Sequence, residues 1–128
     1  MGNIRKYKIS SGSIAADGSA IAYSVPIRGK ILAVGVGYPA HTCTVDLDSQ
    51  GEATDQKILD LAAASTDATY YPRTPVHTYT GTAVDLSDTE GGNNAQYESF
   101  VVYGRIKLTI ASGTAAESVS VYIMVEED

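Results

Sequence analysis

Apolar and polar residues alternate with a period of two along most of the chain, the spacing that sends successive side chains to opposite faces of a β-strand. Tyr7 and Ile9 alternate with Lys6, Lys8 and Ser10. Ile21, Tyr23 and Val25 alternate with Ala22 and Ser24, and Ile106, Leu108 and Ile110 with Arg105, Lys107 and Thr109. A last strand carries Val119, Val121, Ile123 and Val125 on one face and Ser118, Ser120, Tyr122 and Met124 on the other, until the acidic tail Glu126-Glu127-Asp128 stops it. Each pattern predicts a strand with one dry and one wet face. Residues 31–38 are apolar on both faces and contain Gly35 and Gly37, which predicts a central strand that another backbone approaches closely.

Turn chemistry separates these runs at Asp17-Gly18, Arg28-Gly29, Tyr38-Pro39, Gln50-Gly51, Gly91-Gly92 and Ser112-Gly113. Punctuation every 8–12 residues or so, between short alternating runs, is the mark of a sandwich or barrel. The expected fold is therefore all-β, an antiparallel β-sandwich of jelly-roll-like form with about eight strands and little or no helix. Residues 55–65 read either as a helix capped by Thr54 or as a strand in which Leu59, Leu61 and Ala63 alternate with Ile58, Asp60 and Ala62; the alternation favours the strand. Pro72 and Pro75 make residues 65–80 a connection or an edge strand, and 87–96 is a polar, flexible-looking loop. No repeat or shift of composition divides the chain, so residues 1–128 read as one domain, with 1–9 as a basic docking strand or arm.

Composition narrows the class. At 128 residues the chain can bury about 68% of its unfolded surface and needs no metal or disulfide to hold a core. Its one cysteine, Cys43, cannot form an internal bridge. Apolar runs fall far short of the ~20 residues that span a bilayer, so no membrane partner is expected. The net charge of −6 argues against nucleic acid. That average hides an asymmetry: residues 1–30 carry Arg5, Lys6, Lys8, Arg28 and Lys30 against Asp17 alone, while 31–128 carry four basic and fourteen acidic residues. The basic end reads either as a docking surface for an acidic partner or as scattered solvated charge.

Motifs for catalysis or cofactors are thin. Gly35-Val36-Gly37-Tyr38-Pro39-Ala40 spells GxGxxA, but Pro39 and the strand-like residues after it deny the helix that would hold pyrophosphate. Asp46-Leu47-Asp48-Ser49-Gln50-Gly51 opens like a calcium loop, yet its twelfth position is Lys57 where a bidentate Glu is required. Cys43, His41 and His77 are too few for a zinc centre, and GxSxG, HExxH and P-loop patterns do not occur. A glycosidase pair would have to be picked from fifteen carboxylates with nothing to single two out, Asp85 or Glu98 included. The expectation is no enzyme, no cofactor and no metal.

Nine of the ten aromatic residues are Tyr, a side chain with an apolar body and a polar tip that suits half-buried contacts and equally suits any pleated sheet. Tyr70-Tyr71-Pro72-Arg73 matches the composition of interface hot spots best. The whole layout resembles the small all-β virion proteins of tailed double-stranded DNA phages, especially capsid decoration or cement proteins. The likeness runs through the basic first strand at 5–9, Ala16-Asp17-Gly18-Ser19-Ala20, Pro26-Ile27-Arg28-Gly29-Lys30-Ile31, and Thr44-Val45-Asp46-Leu47. It continues through Ala68-Thr69-Tyr70-Tyr71-Pro72-Arg73, Gly81-Thr82-Ala83, and the closing strands at 104–110 and 118–125.

The resemblance implies a virion protein on the outer surface of the capsid, a homotrimer seated over junctions of the major capsid protein. Three weak contacts there would act as one through effective concentration. The residues expected to meet the partner are Arg5, Lys6, Lys8, Tyr70, Tyr71 and Arg73. Alternatives are a tail, neck or fibre-base component, whose sandwiches look alike, and a carbohydrate-binding module stacking Tyr on sugars, which the lack of Trp disfavours.

Overall fold

The computed structural model describes residues 2–50, 55–75, 81 and 97–127. Thr54, His77, Tyr79, Asp85, Asp88 and the polar stretch 87–96 lie outside the described residues. Eleven strands lie among the described residues, in order: β1 (Asn3–Ser10), β2 (Ala20–Tyr23), β3 (Ile27–Gly37), β4 (Cys43–Ser49), β5 (Lys57–Ala64), β6 (Ala68–Tyr70), β7 (Arg73–Pro75), β8 (Tyr97–Ser99), β9 (Val101–Gly104), β10 (Ile106–Ala111) and β11 (Ser120–Glu127). There is no helix among the described residues.

The pairing is that of a long antiparallel hairpin rolled up. β1 pairs β11, β2 pairs β10, β3 pairs β9 and β4 pairs β5, and successive pairs fall in alternate sheets. One sheet runs β1-β11-β3-β6 with β9 also on β3; the other runs β2-β10-β4-β5. The fold is thus an all-β sandwich with jelly-roll order. The count exceeds the expected eight because the segment between β5 and β10 is broken. β6 takes Val34 to Val36 of β3 and β9 takes Ile27 to Lys30, so the two share one edge position. Pro72 interrupts the chain between β6 and β7, and proline has no N–H to give a ladder. β7 and β8 form a small ribbon of their own. Residues 57–64 are a strand, with Leu59 opposite Leu47 and Leu61 opposite Val45.

The inward positions form one dry layer. Ile9, Ile31, Val34, Val121, Ile123 and Val125 from the first sheet meet Val45, Leu47, Ile106, Leu108 and Ile110 from the second, all buried. Buried aliphatic side chains of this kind are worth ~1.5–3 kcal/mol each, and they fix which way every strand faces. Two polar side chains are buried at strand ends among the described residues: Ser24 Oγ accepts from Ile106 N and donates to Val25 O, and Ser49 Oγ accepts from Gln56 N.

β3 departs from simple alternation. Met124 stands opposite Ala33 and Val125 opposite Ile31, so Leu32 is an extra residue, a β-bulge that lets Ile31 and Val34 both point inward. Gly35 and Gly37 therefore face outward, opposite Tyr122 and Ser120. A Cβ built at Gly35 would meet Thr69 Oγ1 and Tyr122 Cβ only at 4.0 Å, an ordinary contact. The close backbone approach expected there is absent; these glycines leave a shallow trough between Tyr122 and Thr69. The close approach occurs instead at Gly29, whose φ is +144° and where a Cβ would collide with the Glu126 carbonyl oxygen and lie 2.9 Å from Val125 Cγ1.

Candidate docking surface

The basic N-terminal residues are part of the sandwich. β1 is laddered to β11 along its whole length, from Asn3 opposite Glu127 to Ser10 opposite Ser120. It is an edge strand with Ile9 buried in the core, so of the expected docking strand or arm at 1–9 the described residues form a strand.

Because cross-strand partners share a face, the register places the outward side chains. Ile4, Glu126, Lys30 and Val101 form one row across β1, β11, β3 and β9. Lys6, Met124 and Ala33 form the next, and Lys8, Tyr122, Gly35 and Thr69 the one after. Beyond the first row, Arg28 stands opposite Tyr103. Four of the five cations in residues 1–30 thus share one sheet face, with Glu126 as the one carboxylate in these rows.

The cations are seated on rings. Lys6 Nζ lies 5.3 Å and Lys8 Nζ 5.7 Å from the centre of Tyr122, and the Arg28 guanidinium lies 4.7 Å from the centre of Tyr103. Such pairs attract through the ring quadrupole and bury the long aliphatic stems against the sheet. Between them the face is apolar and wet: Ile4, Val101 and Tyr103 are each about 60% exposed. Arg5 points to the other side of β1, at the open end of the sandwich, where its Nη1 is 3.6 Å from Glu127 and its guanidinium lies over Tyr7. Tyr7 donates a hydrogen bond to the same carboxylate, which holds its phenol pKa up. A cleft of about 760 Å³ opens there between Arg5, Tyr7, Arg28, Lys30, Glu126 and Glu127.

The other expected contact set is unevenly exposed. Tyr70 stands opposite Val34 and packs against the core, while Tyr71 is exposed and Pro72 is buried between them and Arg73. Arg73 is exposed but occupied, donating from Nη1 to Pro72 O at 2.7 Å and Leu32 O at 3.3 Å. Burial, and after it the neighbouring Tyr70 hydroxyl, raises the Tyr38 phenol.

Groups with chemical potential elsewhere are tied into structure. Cys43 is buried, and burial followed by the Glu117 charge raises its thiol pKa. His41 turns an exposed ring to Glu117, Nδ1 to Oε2 3.0 Å. On the outer face of the second sheet Asp46, Asp48 and Asp60 surround Lys57, whose Nζ is 3.4 Å from Asp48 and 4.0 Å from Asp46. Burial, then Asp60 across the strand, raises Asp46 despite the attraction of Lys57. No cluster among the described residues is arranged to hold a metal ion. No described helix is long and apolar enough to cross a membrane.

Sequence reasoning counted Arg28 and Lys30 in the charge asymmetry but left them out of the contact set, and it missed Ile4, Tyr103, Val101 and Met124. The signal for Tyr122 and Met124 was present, since both alternate with the buried residues of the last strand. Compared with known proteins, the chain matches no protein-family model and no curated sequence.

Proposed function

We propose that this chain is a structural virion protein that, like the decoration proteins it resembles, adheres as a homotrimer to the outside of a phage head and ties together neighbouring copies of the major capsid protein. The reading is carried by one observation: an acidic chain gathers Lys6, Lys8, Arg28 and Lys30 on a single sheet face together with exposed Ile4, Val101 and Tyr103. Cation and aromatic side chains around an apolar centre are what a protein contact uses, and aromatic residues, Met and Arg are enriched at interfaces. A β-sandwich holds the backbone of such a face in place, so that binding orders only side chains. Internal pressure on a shell is then resisted by many copies, each needing only modest affinity.

The experiment is co-sedimentation of the purified chain with phage heads lacking it, followed by imaging. Many copies over the shell support the reading; a few copies along a tail, or none on any particle, overturn it. Sedimentation equilibrium checks the trimer, and a monomer at all concentrations rejects that part. Removing residues 1–8 is a poor test, because it strips an edge strand from β11.

A further inference from the structure

We infer that the outward face of the five-stranded sheet recognises an acidic protein surface, with the Lys6/Lys8 pair and the Arg28/Lys30 pair as two separate anchors and Glu126 as a built-in brake on affinity. The inference deepens the reading above and rests on it for the existence of a protein partner.

The geometry sets the spacing. Lys6 and Lys8 are alternate residues of β1, and Arg28 and Lys30 alternate residues of β3, with β11 between the two strands. Strands are ~4.8 Å apart, so the two pairs sit on tracks about 10 Å apart. They are also staggered, since Lys30 is level with Ile4 while Lys6 is level with Ala33. Ile4, Met124 and Glu126 fill the diagonal between them. A partner matching this face carries carboxylates at two places and apolar groups between.

Three observations favour protein over nucleic acid. The ring of Tyr122 already lies under the chain's own Lys6 and Lys8 and is not an open platform for bases. Ile4, Val101 and Met124 offer apolar area that a phosphate backbone leaves wet. The remainder of the chain is acidic and repels a polyanion that extends beyond this one face. An acidic protein surface of limited extent satisfies the cations without meeting that repulsion.

Glu126 supplies the distinctive test. It lies between Ile4 and Lys30 and opposes an acidic partner, so removing its charge should tighten binding, a gain that a purely apolar contact would not show. The probe is a labelled peptide of repeated Glu-Glu-Leu, titrated with the full chain by fluorescence anisotropy, with duplex DNA of equal charge and phosphatidylserine vesicles as comparators. The double variants Lys6→Glu/Lys8→Glu and Arg28→Glu/Lys30→Glu should each weaken peptide binding by about tenfold or more, and Glu126→Gln should tighten it about threefold. Arg73→Glu should leave it within about twofold.

No peptide binding, an equal loss from Arg73→Glu, no gain from Glu126→Gln, or tighter binding of DNA or vesicles would each overturn the inference. All the substituted residues are at least partly exposed, and an unchanged thermal melt shows that each variant is folded. Association with heads that ignores these substitutions overturns the inference and leaves the structural reading standing. Peptide binding that responds as expected, without association with heads, does the reverse.

Discussion

Two glycines on the same strand should respond to alanine in opposite directions. Gly29 has a φ of +144°, a backbone conformation essentially confined to glycine, and holding another residue there costs about 1–3 kcal/mol. The added Cβ would also run into the Glu126 carbonyl and Val125 Cγ1, atoms fixed by the β3–β11 ladder and the core. Overpacking against such neighbours costs a further ~1–3 kcal/mol. Gly29→Ala should therefore lose roughly 2–6 kcal/mol, a large share of the ~6–19 kcal/mol expected for a domain of this length.

Gly35 has no such φ, and its nearest neighbours stand at 4.0 Å, so Gly35→Ala should gain about 0.5 kcal/mol by restricting the unfolded chain. In urea, with a slope of ~1.5 kcal/mol per M, the first change lowers the midpoint by roughly 1–4 M and the second raises it by about 0.3 M. If Gly29→Ala unfolds within about 0.5 kcal/mol of the parent, the close crossing of β3 and β11 is not there. Equal losses at both glycines would likewise reject the distinction. Arg28 and Lys30 flank Gly29, so the same measurement checks the footing of one pair of the clustered cations.

Further outcomes can be measured on the same material. Ile123→Ala, on the buried side of β11, should cost about 2–5 kcal/mol in urea unfolding, whereas its exposed neighbour Met124→Ala should cost under ~0.5. Asp46 keeps its proton more tightly folded than unfolded, so its contribution is fully present below the unfolded value near ~3.9 and is lost as pH rises through the raised folded value. Asp46→Asn should therefore be more stable than the parent at neutral pH and no different at pH ~3; an equal difference at both ends rejects the account. The Cys43 thiol should react with a disulfide reagent only as fast as the chain opens, so labelling in the absence of denaturant within minutes would contradict its burial.

Period-two patterning identified most strands and their faces because most inward positions are Ile, Val or Leu, which have nowhere else to go. Legibility failed where a residue's role depends on what lies beside it in space. Gly35 and Gly37 look the same in sequence whether a backbone or open water covers them, and only the bulge at Leu32 turned them outward. Tyr70 and Tyr71 are adjacent, so a strand must send them to opposite sides, and Tyr70 went to the core; hot-spot composition alone ignored that alternation. The division of β6 to β9 was half visible in Pro72 and Pro75, but the sharing of one edge of β3 by β6 and β9 is a fact of topology.

The charge asymmetry shows how topology turns composition into a surface. Residues 1–30 cover β1, β2 and the start of β3, and in a rolled hairpin the odd members of that trio enter one sheet and the even member the other. All the cations of that stretch lie on β1 and β3, while β2 reads Ala20-Ile21-Ala22-Tyr23 with no charge at all. β11 then enters between β1 and β3 with Tyr122 and Met124 outward, supplying the ring on which both lysines rest and the apolar ground between the anchors. A different strand order would have scattered the same residues over two faces, where solvent would screen each alone. The gathering of these cations on one face therefore comes from the jelly-roll order acting on an uneven sequence, and neither is sufficient without the other.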